Sequence, residues 1–153
     1  MPLHKRALWP DLARHLVPDP ALRSDVLAEV GAILNDQTLS DLFDLSSLAE
    51  VALTGSIGKR RIYGVIDRLI VTQDTILAID YKSNGIVPQN PENVPEGLLR
   101  QLGAYDEMLR QIYPTRRIET ALLWTRTCTL MRIDADIVRA ALERATTDSD
   151  PAP

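Results

Sequence analysis

Cysteine is nearly absent. Cys128 is the single one in 153 residues, which excludes an internal disulfide and any multi-cysteine metal or iron–sulfur site within this chain. Its surroundings read as a buried strand. Long apolar runs are missing too: no stretch approaches the ~20 apolar residues of a membrane span. The N-terminus also lacks a signal-peptide core. The expected location is therefore the cytoplasm, away from any membrane. A surplus of positive charge is lacking as well. The 17 Lys and Arg against 21 Asp and Glu leave a formal net charge of −4, which argues against a general nucleic-acid binder, because phosphate neutralisation needs clustered cations. What is present is an ordinary globular composition, 45% hydrophobic and 25% charged, in a length that suits one domain with a real core.

The most informative stretch is residues 61–82. Two apolar, β-branched runs, 61–71 and 75–81, flank Thr72-Gln73-Asp74-Thr75, the pattern of a β-hairpin. A turn centred between Gln73 and Asp74 pairs Asp67 with Asp80 across the ladder, with Cβ atoms roughly 5 Å apart. Alternation along the strand then puts Lys82 on the face of Asp80. Two carboxylates held together on a half-buried sheet repel, so that one takes up a proton unless a cation lies between them. Hard oxygen donors with open positions suit Mg²⁺ or Mn²⁺, which keep several waters and take one or two protein carboxylates plus phosphate oxygens. A neighbouring ammonium can orient or help deprotonate a water and stabilise charge on a phosphate. The chemistry implied is metal-dependent phosphodiester hydrolysis. An exposed salt bridge is the competing explanation for an Asp-x-Lys triplet. Against it stands the run Ile76-Leu77-Ala78-Ile79, which reads as a strand covered on both faces, where a terminal charge needs a reason.

Upstream, Leu8, Trp9, Leu12 and Leu16 predict a short amphipathic helix, ended by Pro18 and Pro20. Asp19-Pro20 reads as the N-cap and first position of a second helix carrying Leu22, Val26, Val30, Ile33 and Leu34. Leu39, Leu42 and Phe43 add one short helical turn. Residues 48–54 alternate as a first strand, with Ala49, Val51 and Leu53 on one side and Glu50 on the other. Gly55-Ser56-Ile57-Gly58-Lys59 is too short for a phosphate loop, with Arg60 where Ser or Thr would stand, and reads as a hairpin turn.

After Lys82, Ser83-Asn84-Gly85 turns the chain into a proline-rich loop, 86–95, that cannot pair as a central strand. Asn93 as N-cap, with Glu96 at the capping-box position, opens a helix that Pro114 ends. Its apolar face is Leu98, Leu102, Met108, Leu109 and Ile112, and Gln101 and Tyr105, four apart, share one side. Strands 117–125 and 128–133, joined at Arg126-Thr127, complete the sheet. Asp134 caps a last helix, 135–145, with Ile137, Val138, Ala141 and Leu142 inward, and the tail from Thr146 lacks the apolar content to order itself. Positive charge gathers at Lys59-Arg60-Arg61, at Arg68, and at Arg100, Arg110, Arg116 and Arg117, and none of these is assigned to DNA.

Gly64-x-x-Asp67-Arg68-Leu69, Asp80-Tyr81-Lys82-Ser83-Asn84 and Gln101-x-x-x-Tyr105 together resemble the RecB-type nuclease module of the PD-(D/E)XK superfamily. Ala49-Glu50-Val51, Ile79-Asp80-Tyr81-Lys82 and Leu122-Leu123-Trp124-Thr125 are similar to the C-terminal nuclease domain of AddA helicase-nuclease subunits, over residues 39–133. The resemblance implies an α/β fold of the restriction-endonuclease-like type, a mixed β-sheet flanked by α-helices. Its parts would be an N-terminal helical region (1–47), a nuclease core (48–145) and a disordered tail (146–153). It also implies Mg²⁺- or Mn²⁺-dependent DNA cleavage, exonucleolytic, inside a helicase-nuclease that processes double-strand breaks for recombination.

Carried over residue by residue, the resemblance gives metal binding to Asp67, Asp80 and the backbone carbonyl of Tyr81. Lys82 would position the attacking water. Glu50 is placed near the metal as ligand or base, the alternative being an exposed strand glutamate. Gln101 and Tyr105 would contact substrate phosphate or hold the site, the alternative being plain helix–sheet packing. The family's metal-binding histidine, in a Gly-x-x-x-His-like context on an upstream helix, has no counterpart, since only His4 and His15 lie upstream and neither has that context. The expectation is a C-terminal fragment that begins after the histidine, with a helicase motor in the same longer polypeptide and a second helicase-nuclease subunit as partner. The alternative is a module that binds a DNA end, or docks a helicase, without cutting.

Overall fold

A computed structural model describes residues 9–44 and 46–147. Helix α1 (Trp9–Leu16), helix α2 (Pro20–Asn35) and a 3-10 turn (Gln37–Phe43) precede the sheet. The α2 start is the one the sequence predicts: Pro20 has no N–H to lose at the first turn, and the Asp19 carboxylate accepts the Ala21 N–H at 2.9 Å. Then come β1 (Leu48–Ile57), β2 (Arg60–Val71), β3 (Thr75–Lys82), α3 (Glu96–Ile112), β4 (Arg117–Trp124), β5 (Thr129–Ile133) and α4 (Ala135–Thr147). The five strands form one sheet in sequence order, antiparallel except for the parallel pair β3–β4. This is the mixed, helix-flanked sheet of the restriction-endonuclease-like type.

Strand β3 shows why the sheet needs two covering layers. Ile76 and Ala78 belong to the core shared with α3 and α4, while Leu77 and Ile79 belong to a second core with Ile33 of α2 and Leu39 and Leu42 of the 3-10 turn. All four are buried, so the continuous apolar run is a strand covered on both faces, as expected. Asp80 and Lys82 end that strand on the α3 side.

The alternation assumed for the first strand does not hold at Glu50. This residue has φ 53°, a left-handed conformation that costs a non-glycine residue energy and is rare inside a strand. Its neighbours keep one register, Ala49 opposite Arg68 and Val51 opposite Ile66, which leaves Glu50 facing Asp67 without a pair. In β2, Ile66 and Leu69 both enter the α3-side core, although residues three apart in a regular strand point to opposite faces. The sheet therefore switches faces at Glu50 and Asp67.

Other expectations are corrected by packing. Asn93 does not cap α3; it lies in a 3-10 turn, Pro91–Asn93, and Pro95 occupies the cap position without a side-chain bond. Ile112 is 50% exposed and Leu99 takes the inward place instead. On α2, Leu22 is 54% exposed and only Ile33 is fully buried, because the helix meets the sheet only through its last turns. Cys128 is not in a strand: it follows a 3-10 turn at φ 54°, half-buried, with its thiol 3.8 Å from Asp36 Oδ2. The first hairpin turns on Gly58-Lys59 alone, since Gly55, Ser56 and Ile57 belong to β1. Thr146 and Thr147 are helical, whereas Leu8 and the rest of the tail lie outside the described residues.

Candidate active site

The β2–β3 hairpin carries the site. Its turn closes with the Thr72 N–H on the Thr75 carbonyl at 2.9 Å, and the ladder pairs Arg68 with Ile79 and Val71 with Ile76. That register, extended by one residue, brings Asp67 opposite Asp80. The ladder stops there because the Asp67 carboxylate takes over the bond a backbone carbonyl would make, accepting the Tyr81 N–H through Oδ2 at 2.6 Å.

Asp80 is 3% exposed, and both of its carboxylate oxygens have polar partners. Oδ1 accepts a bond from Gln101 Nε2 at 2.8 Å, and Oδ2 pairs with the Lys82 ammonium. Burial pushes the Asp80 carboxyl above the ordinary carboxylate range and the Asp67 charge adds to this, while Lys82 and Gln101 pull the other way. Gln101 is the clamp of the site. Its amide nitrogen also donates to Tyr105 Oη at 2.8 Å, and its oxygen accepts from Lys82 Nζ at 3.4 Å. Tyr105, 4% exposed, is anchored in turn by donating its hydroxyl proton to the Val65 carbonyl at 2.6 Å. Burial raises the Tyr105 phenol above its usual value, so it stays protonated and keeps that bond.

The structure thus brings Asp67, Asp80, Lys82, Gln101 and Tyr105 together. Glu50 is exposed, facing Asp67 by register. Sequence reasoning missed the glycine that lets α3 approach. A Cβ on Gly64 would lie 2.7 Å from the Tyr105 ring, so the first residue of the Gly64-x-x-Asp67 motif makes room for the tyrosine. It also left Arg68 unassigned. On the opposite face Arg68 donates to Tyr81 Oη at 3.2 Å and to Ser47 Oγ at 3.3 Å, with its guanidinium 5.3 Å from the Phe43 ring centre. The signal was available, because Arg68 and Tyr81 are diagonal neighbours across the hairpin.

Among the described residues no three His, Cys, Asp or Glu side chains cluster as a metal site. The donors that are present still fit a hard divalent ion. Asp80 Oδ2 is a buried carboxylate oxygen whose one partner is the Lys82 ammonium, and the charge of Asp67 beside it is a repulsion that a bound cation would further relieve.

A helix-flanked mixed sheet, with two acids and a lysine on a central hairpin tied to the following helix, is the architecture of a nuclease-like catalytic module. The family model of the PD-(D/E)XK nuclease superfamily matches residues 4–150, and the chain belongs to that superfamily, whose nucleases generally use divalent metal ions. Among solved structures, it is similar to the Eubacterium rectale protein named "Putative exonuclease", with a TM-score of 0.63 and 13% identity, over 84% of this chain and 51% of that one. This chain thus spans about half the length of that protein. It also matches the protein SSO0001 with a TM-score of 0.42 and 15% identity, over 99% of this chain and 72% of that one. No curated protein matches.

Proposed function

We propose that this chain is a divalent-metal-dependent nuclease module that hydrolyses DNA phosphodiesters, acting as an exonuclease of the RecB and AddA type within a helicase-nuclease that repairs double-strand breaks by recombination. The observation that carries the chemistry is the single network joining Asp80, Lys82, Gln101 and Tyr105, with Asp67 beside it.

Asp67, Asp80 and the Tyr81 carbonyl would hold Mg²⁺ or Mn²⁺. Bound there, the ion would supply Lewis acidity and a more acidic water. Lys82 orients the attacking water and stabilises charge on the scissile phosphate. Gln101 fixes the paired Asp80 and Lys82 in place, with one bond to each. Tyr105 spends its hydroxyl on Val65 and Gln101, which favours holding the site over touching phosphate. Glu50, opposite Asp67 in register but not clustered with the two aspartates, would act as a base from the exposed side.

The helicase motor and the second subunit belong to the proposal as well. Leu12 (55% exposed) and Leu16 (71%) on α1, with Leu22 and Val30 on α2, are exposed apolar side chains that a neighbouring domain would cover. Among the described residues no helix is long and apolar enough to cross a membrane, and a cytoplasmic location is part of the proposal. A second reading, a DNA-end-binding or docking module that does not cut, is favoured by the lack of a third clustered metal-ligating side chain among the described residues.

Cleavage of linear single- and double-stranded DNA with Mg²⁺ or Mn²⁺, with EDTA as control, separates these readings. Metal-dependent cutting should fall about 100-fold or more in both Asp80→Ala and Lys82→Ala. No cutting, with calorimetric Mn²⁺ binding that Asp80→Ala abolishes, would establish the second reading. No metal binding at all would remove both.

A further inference from the structure

The hairpin β1–β2 has a charge and a surface unlike the rest of the chain. Residues 51–66 hold Lys59, Arg60 and Arg61 and none of the acids, in a protein of net charge −4. None of the three forms an ion pair among the described residues. One face of the hairpin lies against α3: Gly55 sits under Met108, Gly64 under Tyr105, and Ile62 packs on the core. The other face is open. There Thr54 pairs with Tyr63 and Ser56 with Arg61, and all four are exposed. The layer of α2 and the 3-10 turn reaches β3 and β4 but not this part of the sheet.

Tyr63 is the telling residue, 68% exposed on β2, beyond the last residue of that strand that β3 pairs. Lysines and arginines near a sheet edge discourage edge-to-edge pairing, which could explain the three cations. It does not explain an aromatic ring lying on the sheet face among small side chains, with Arg61 two residues along. An exposed aromatic on a sheet, flanked by unpaired cations, is the composition by which proteins hold unpaired bases: the ring stacks, and the cations follow the backbone.

We infer that this open face is a platform for single-stranded nucleic acid, on which Tyr63 stacks with an unpaired base while Arg61, on the same face, and Lys59 and Arg60, at the hairpin tip, neutralise phosphates. The inference rests on the nuclease reading for the identity of the polymer, and it adds where the polymer is gripped. Tyr63 lies four residues from Asp67 along β2, about 13 Å at ~3.3 Å per residue, on the face away from α3, so the platform holds nucleotides beyond those at the carboxylates on a nucleic-acid strand that passes round the sheet edge.

The test is fluorescence anisotropy of the full chain with a labelled oligothymidine and with the matching duplex, in EDTA so that nothing is cut. The single strand should bind more tightly. Tyr63→Ala should weaken that binding roughly 5- to 150-fold, whereas Tyr63→Phe, which keeps the ring, should not. Replacing Lys59, Arg60 and Arg61 together by Gln should lower the salt slope by about 0.7 for each phosphate that is no longer neutralised. Binding unchanged in Tyr63→Ala and in the triple variant, or a preference for duplex that Tyr63→Ala leaves untouched, overturns the platform. The two readings fail separately. Tyr63-dependent binding by a chain that never cuts supports the platform and removes the nuclease, while cutting with an unaltered KM in Tyr63→Ala does the reverse.

Discussion

A methyl group added at Gly64 tests how the site is held together. The new Cβ would lie 2.7 Å from Cε1 of Tyr105, well inside contact distance, and the ring has nowhere easy to go. Tyr105 is 4% exposed, and its hydroxyl is fixed to the Val65 carbonyl at 2.6 Å and to Gln101 at 2.8 Å. Overpacking a well-filled core costs about 1–3 kcal/mol, and losing the tyrosine's hydrogen bond adds about 1 kcal/mol. Gly64→Ala should therefore lower the melting temperature by roughly 5–15 °C for a chain of this size. The damage should also reach the carboxylate: a displaced Tyr105 releases Gln101, Gln101 releases Asp80, and Mn²⁺ affinity should fall about 10- to 100-fold. Circular dichroism melting and calorimetry read the two effects. In a double-mutant cycle, Tyr105→Leu, which removes the obstructing ring, should couple to Gly64→Ala by about 0.5–3 kcal/mol. A Gly64→Ala protein that melts with the parent and binds Mn²⁺ equally well would refute the clamp.

Asp80→Asn should stabilise the metal-free fold near neutral pH while abolishing Mn²⁺ binding. Burial raises the Asp80 carboxyl above its unfolded value, so the folded state binds that proton more readily; its contribution is favourable at low pH and is lost as pH rises through the raised value. The variant's advantage should accordingly be absent in acid and appear above that window, and a melting series over pH in which the variant is the less stable protein at neutrality would contradict the argument. Gly103→Ala should be among the most damaging single changes away from the site, because the added methyl would collide with the Val138 carbonyl oxygen of α4 and press on Leu142. A loss of about 3 kcal/mol or more in denaturant unfolding is expected, with retention of parental stability as the refuting result.

The elements most legible in the sequence were those decided by local rules. The Thr72–Thr75 turn sets the β2–β3 register through its own length, and from that register Asp67, Asp80 and Lys82 converge without knowledge of anything else. The Asp19-Pro20 start of α2 and the shared side of Gln101 and Tyr105 are equally local, matters of capping and of helical period. What the sequence left open depended on packing between segments far apart in the chain. Which groups Gln101 and Tyr105 bond within the fold depended on how closely α3 approaches β2, which Gly64 permits. Helical spacing marked apolar faces on α2 and α3 but could not say that Leu22 and Ile112 stay in water, because burial depends on where the neighbouring layer ends. The left-handed Glu50, and with it the change of faces at Asp67, has no local signature, since strand alternation is a rule of regular pairing and this sheet departs from it at the candidate site. Sequence by itself determined which acids and which lysine meet; the tertiary structure decided what holds them, because hydrogen bonds reaching from α3 to β2 and β3 exist only once the helix has packed on the sheet.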